Sequence, residues 1–379
     1  MRIADFALER YFARWEFAAR HLLCASDVQG YPMSDLLALA DDEMRTLWAD
    51  LRLGYSESTG HPLLRREIAS LYESIEPDEI LTFAGAEEAI FCLANVLVGP
   101  GDHVIATWPG YQSLYEIARA AGADVTLHEL REEARWVLDL DLLRRQITPA
   151  TKLMVVNAPH NPTGMLPDRA TFDGLTAIAA EAGAHLIVDE VYRGLERKPD
   201  RELPPACLAY ENGISLNVLS KTAGLAGLRI GWLASSRTDV LDSVAVVKDY
   251  NSICSSGPSE FLASIAVRNF NLLAGRNHAL CATNLALFEA FVSRHPDFVA
   301  LTPPEGSSIA FPRLAGRAEA AFGGDAERMA LALLADAGVL LLPGKLYDYD
   351  ARHWRLGYGR ADFAEGLGEL EAWVGARGY

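Results

Sequence analysis

The sequence is poor in several things, and each shortage removes a class of protein. Its five cysteines, Cys24, Cys92, Cys207, Cys254 and Cys281, are scattered through 379 residues with no C-x-x-C spacing. That excludes a disulfide scaffold and a cysteine-based zinc site, and it leads us to expect a reducing, cytoplasmic setting without metal. Basic charge is also short: 34 Lys and Arg face 51 Asp and Glu, for a net charge of −17. Nucleic acid and anionic membrane surfaces are then poor partners, and an anionic ligand has to be met locally. No stretch approaches the roughly 20 apolar residues of a membrane helix, and the acid-bearing start MRIADFALERYFARWEF does not read as a secretory signal. Repeats, low-complexity tracts and long flexible linkers are missing too, so the chain reads as continuous globular structure.

Lysine is the most telling scarcity. Only Lys152, Lys198, Lys221, Lys248 and Lys345 occur, the other 29 basic residues being arginine. One of the five stands in NVLSKTAGLAGLRIGW, after an apolar run and eight residues before Arg229. Any lysine chemistry has few candidates, and this is the most conspicuous.

What is present is a rhythm. RREIASLY, EAIFCLANVLV, YQSLYEIARAAG and TFDGLTAIAAEAG have helical periodicity. HVIATW, DVTLHEL, KLMVVNAP, AHLIVDE, ISLNVL and LRIGWLA read as short apolar strands. Strands alternating with helices imply a mostly parallel sheet covered on both faces, here an α/β domain over about residues 45–275. The remainder has another texture. PSEFLASIAVRNFNLLAG and HALCATNLALFEAFVSRH read as long helices, followed by SSIAFPRL, a helix through ERMALALLADAG, strands VLLLPG and HWRLGYG, and a final helix. Residues 276–379, with the first 44 folding back on them, form the expected smaller α+β domain.

Ligands of open α/β sheets collect at the carboxyl ends of the strands. Those ends carry Asn157 to Gly164 (NAPHNPTG), then Asp189, Glu190 and Tyr192, then Ser220 and Lys221, and the Pro109-Gly110-Tyr111 turn. Each has a plainer role when taken alone: Asn-Pro-Thr-Gly makes a turn, Asp caps a helix, Lys is solvated in a loop. Their joint occurrence at successive strand ends calls for chemistry.

The set resembles the fold-type I, pyridoxal-phosphate-dependent aminotransferases of class I/II, from about Leu53 to Gly359. SKTAGLAGLRIGW is its most specific piece. The resemblance implies an aspartate-aminotransferase-like fold with a mostly parallel seven-stranded sheet, pyridoxal 5'-phosphate as cofactor, and transamination between an amino acid and a keto acid. It implies that Lys221 carries the cofactor as a Schiff base and moves the α-proton. Asp189 would hold the pyridine nitrogen, Asn161 and Tyr192 the ring oxygen, and Tyr111 would stack on the ring. Ser220, Arg229 and the helix start at Ala86 and Glu87 would bind the phosphate. Tyr55 matches a tyrosine that reaches the phosphate of the neighbouring subunit, which implies a homodimer. Arg355 matches the arginine that clamps the substrate carboxylate.

Two positions depart from the pattern. Glu87 stands where relatives carry a neutral side chain, so only its backbone N–H is expected to serve the phosphate. Val218 replaces a frequent phosphate-binding Ser or Thr. A narrower resemblance joins RWEFAARHLLCASDVQGY and KDYNSICSS to the branch that contains capreomycidine synthase, a cyclase, and arginine-oxidising enzymes. By that resemblance Glu16 and Asp27 would face a guanidinium. Gln29 stands where the oxidases carry a histidine, which weakens oxidation. Apart from Arg355 no arginine stands out as a second clamp, although Arg20, Arg193 and Arg313 are open. The expected donor is therefore cationic or neutral, with aspartate a poor one, and a cyclase, lyase or oxidase acting on arginine or hydroxyarginine is the alternative. Transcription regulators with an aminotransferase-like sensor are disfavoured by the acidic balance.

Overall fold

The computed structural model describes residues 2–379. At its centre is a seven-stranded sheet in the order Ile80–Phe83, Gly231–Ala234, Gly213–Val218, His185–Asp189, Thr151–Asn157, His103–Trp108, Asp124–Glu129. Gly231–Ala234 runs antiparallel to both of its neighbours, and the other pairings are parallel. The inner strands are buried along their length, as near-continuous apolar runs require when both faces of a sheet are covered. Helices Ala86–Leu97, Ser113–Ala121 and Thr238–Asp249 supply one apolar layer. Arg169–Ala182 lies in another, together with Leu8 and Tyr11 from the N-terminal helix Ala7–Trp15.

Local rules account for the boundaries. Arg169–Ala182 starts where the Asp168 side chain accepts from the Thr171 N–H, and it stops at Gly183, whose φ of 63° lies in the left-handed region. Six of the seven strands match the apolar runs read from the sequence. The seventh, Ile80–Phe83, has only four residues, too few to show a period.

The C-terminal part holds three small sheets. VLLLPG, expected as one strand, divides at Leu341. Val339–Leu340 pairs in parallel with His21–Leu22, while Leu342–Pro343 pairs antiparallel with Trp354–Gly357. The two long helices meet at Asn269, as Gly257–Arg268 and the 25-residue Phe270–Arg294, so position 275 lies inside an unbroken helix. The first 44 residues go two ways. His21–Leu22 joins the C-terminal sheets, whereas Leu36, Ala40 and Met44 share a core with Phe261, Leu262 and Ile265. None of the described helices is long and apolar enough to cross a membrane.

Candidate active site

Parallel pairing sets the floor of the site. The register puts Asn157 beside Asp189 at the carboxyl ends of adjacent strands, and Asp189 beside Leu216 on the next. Asn157 then stitches the edge. Its Nδ2 donates to the Asp189 carbonyl at 2.8 Å, and its Oδ1 accepts the Asn161 N–H at 2.6 Å, which fixes the Asn-Pro-Thr-Gly turn over the sheet. Above this edge opens a cavity of about 410 Å³. Twelve of the thirteen residues singled out from the sequence line it: Glu16, Asp27, Ala86, Glu87, Tyr111, Asn161, Asp189, Tyr192, Ser220, Lys221, Arg229 and Arg355. Tyr55 does not. Its side chain is 91% exposed in the single chain.

Lys221 Nζ donates to Ser26 Oγ at 2.8 Å. Burial pushes its amine down to about 8, with Asp27 and Asp189 pulling the other way and Arg355 adding to the fall. Asp189 sits at the bottom, 5% exposed, its Oδ1 accepting the Val191 N–H at 3.2 Å. Burial drives its carboxyl up to about 7. Arg355 is 1% exposed. Its Nη2 and Nε donate to the Cys24 carbonyl at 2.8 and 3.1 Å, and its Nη1 donates to the Tyr347 hydroxyl at 2.7 Å. Tyr347 in turn donates to Asn161 Oδ1 at 2.9 Å, tying the arginine to the Asn-Pro-Thr-Gly turn.

The far end of the cavity suits a phosphate. Helix Ala86–Leu97 begins at Gly85 with no side chain capping it, which leaves its first N–H groups open. Arg229, at φ 53°, folds its guanidinium over Gly85, where a Cβ would collide with Nη2. Glu87, expected to serve the phosphate through its backbone N–H alone, also brings its side chain to the cavity. Its carboxyl lines the cavity and accepts a hydrogen bond from Ser113 Oγ.

Two observations test whether the residues fit pyridoxal 5'-phosphate. The Tyr192 hydroxyl is buried beside Lys221 with no hydrogen-bond partner, as a donor waiting for a ring oxygen would be. Asp189 is a buried carboxylate without a cationic partner in hydrogen-bonding range, which a pyridinium N–H would supply. With the uncapped helix start and Arg229 for the phosphate, the donor set fits.

The wall is formed by the N-terminal segment. Glu9, Glu16 and Asp27 all face the cavity. Arg360 Nη2 donates to both oxygens of Asp27, at 2.9 and 3.0 Å. Burial, and then the like charges of Asp27 and Glu9, raise the Glu16 carboxyl above its ordinary range. Sequence reasoning did not single out Ser26, Tyr347, Arg360 or Glu9; the SD pair and the GYGR run were the only local signals. The open arginines lie elsewhere: Arg20 donates to the Ala337 carbonyl, Arg193 pairs with Glu190 and Glu202, and Arg313 pairs with Glu132. Gln29 accepts the Ala361 N–H and does not line the cavity.

Comparison with known proteins agrees with this geometry. Residues 23–363 match the model of aminotransferase class I and II. The chain is 30% identical to capreomycidine synthase from Streptomyces vinaceus over 381 residues, covering 99% of this chain and 94% of that protein. A solved PLP-dependent aminotransferase from Streptococcus suis shares its fold with a TM-score of 0.92, at 31% identity over 99% of both chains. The PLP-dependent cyclase OrfR gives a TM-score of 0.90 at 30% identity, over 100% of this chain and 98% of that one. With fold, site and sequence in agreement over nearly its whole length, the chain belongs to the aminotransferase class I and II family.

Proposed function

We propose that this chain is a pyridoxal 5'-phosphate-dependent aminotransferase whose amino donor is a cationic or neutral L-amino acid, with a cationic one preferred. The observation that carries the preference is the acidic wall: Glu9, Glu16 and Asp27 all line the cavity, and of these only Asp27 has a direct cationic partner, Arg360. A cationic side chain relieves the like-charge repulsion that adds to burial in raising Glu16, whereas an aspartate side chain increases it.

When bound, the cofactor supplies an aldehyde that condenses with amines and a ring that withdraws electrons from the substrate α-carbon. The chain does the rest. Lys221 anchors the aldehyde, and the fall of its amine from 10.5 to about 8 raises the neutral, nucleophilic fraction near neutral pH by roughly two orders of magnitude. Ser26 aims that amine. Once substrate has displaced it, the freed Lys221 amine is the base positioned to take the substrate α-proton. Asp189 keeps the pyridine nitrogen protonated, and Asn161 and Tyr192 hold the ring oxygen. Tyr111 covers the ring. Ala86 and Glu87 N–H groups, Ser220 and Arg229 hold the phosphate. Arg355, immobilised by Cys24 and Tyr347, orients the substrate carboxylate. Tyr55, exposed in the single chain, belongs at the neighbouring site of a cytoplasmic homodimer. Mixing Tyr55→Phe and Lys221→Ala protomers tests this, because a shared site yields one intact centre per mixed dimer.

The similarity to capreomycidine synthase and OrfR over almost the whole chain favours a second reading, cyclisation of arginine or a hydroxyarginine. A spectral titration against arginine, its hydroxylated forms, alanine and aspartate, followed by product mass with and without a keto acid and oxygen, decides. Transamination stops after one turnover without keto acid, and cyclisation continues. Faster turnover with aspartate than with arginine overturns the donor preference.

A further inference from the structure

A carboxylate beside a phosphate dianion is repulsive, yet Glu87 is placed there. It is the second residue of Ala86–Leu97, and its side chain lines the end of the cavity assigned to the phosphate. Oε1 accepts from Ser113 Oγ, and the Tyr111 hydroxyl lies near enough to the carboxyl to favour its ionised form. Oε2 is buried and unpartnered. An ionised carboxylate has only acceptors to offer there, as does the phosphate; a protonated one has a donor. We propose that the Glu87 carboxyl is protonated in the resting enzyme and donates through Oε2 to the cofactor phosphate, so that cofactor retention depends on pH through this residue.

The groups around Glu87 decide the sign. Burial disfavours its ionised form, and Glu9, from the N-terminal helix, does the same. Asp189, on the sheet edge, interacts unfavourably with it as well. Ser113 and Tyr111 stabilise the ionised form as donors, and Arg229 does so as a cation, but the phosphate is a stronger claimant on Arg229 than a carboxyl is. The net shift is upward. Retention is therefore full while Glu87 keeps its proton and falls as pH rises through its raised value.

The inference rests on the phosphate lying at the Gly85–Glu87 turn. The test is the affinity of the apoenzyme for pyridoxamine 5'-phosphate, which makes no covalent bond to Lys221, measured by equilibrium dialysis from about pH 6 to about pH 9. Glu87→Gln keeps a donor at every pH. The wild-type Kd should rise relative to that of Glu87→Gln by up to about tenfold per pH unit once Glu87 ionises, while titrations of the ligand and of Asp189 cancel in the ratio. In infrared difference spectra, a protonated-carboxyl band should be present in the wild-type complex and absent from Glu87→Gln. A ratio that stays constant with pH, or a missing band, overturns the proposal. Dialysis against pyridoxamine lacking the phosphate separates the premise from the inference. If neither Arg229→Ala nor Glu87→Gln distinguishes the two ligands, the phosphate lies elsewhere. If only Arg229→Ala does, and Glu87→Gln still matches the wild type at the highest pH, the phosphate is placed correctly and Glu87 is idle.

Discussion

The floor and the wall of the cavity are built by different means. The floor grows out of three parallel strands whose register forces Asn157 and Asp189 side by side, with Ser220 and Lys221 following the next strand. Moving any one of these residues means breaking a sheet. The wall, Glu9 to Asp27, is a short helix, a two-residue strand and loops, held mainly by side-chain contacts such as Tyr11 Oη to the Leu341 carbonyl at 3.0 Å, Arg360 to Asp27 and Arg355 to Cys24. On the proposed reading, the chemistry is mounted on the sheet and the selection among substrates on the segment that tolerates change.

The sharpest break of that comparison is at the floor. Lys221→Ala should lower turnover by roughly a thousandfold or more, and after borohydride reduction its intact mass should lack the covalent cofactor adduct seen in the wild type. Retained activity would refute the floor assignment. Arg355→Lys comes next, because a lysine cannot serve Cys24, Tyr347 and a carboxylate together. A loss of about ten- to a hundredfold in kcat/KM is expected for every amino donor alike. At the wall the effects should be smaller and selective. Glu16→Gln or Asp27→Asn should lower kcat/KM for arginine by roughly five- to tenfold and leave alanine unchanged, because these carboxylates are partly solvated. An equal loss for both donors would make the wall structural. Smallest of all, Arg360→Ala removes the internal cation on Asp27 and should lower the KM for arginine by about two- to fivefold, as read from initial rates.

The two regions also differed in how legible they were. Strand ends announce themselves through apolar runs that stop at polar residues, which is why six strands and Tyr111, Asn161, Asp189, Tyr192, Ser220 and Lys221 were readable, whereas Glu16, Asp27, Ala86, Glu87, Arg229 and Arg355 came from the family resemblance. Ile80–Phe83 was not, being too short to show a pattern. Tyr347 and Arg360 reach the site through antiparallel pairing of Leu342–Pro343 with Trp354–Gly357 and through return of the chain to the N-terminal loop. Nothing in the spacing of residues 26, 161, 221, 347 and 360 records that convergence. Tyr55 shows a different limit, since a single chain leaves it in solvent.

The strand that runs against its neighbours has one more consequence. Gly231–Ala234 wedges between Ile80–Phe83 and Gly213–Val218, and Gly231 packs so close to the start of the next helix that a Cβ would stand 2.8 Å from the Ala86 nitrogen. Arg229 leads into that strand. A ribosome that has released the chain only as far as Lys221 has therefore made the proposed anchor and the Gly85–Glu87 turn but not Arg229 or the strand that packs against that turn. The lysine and the arginine expected at the two ends of the cofactor thus face one another only after this antiparallel strand has docked between its neighbours.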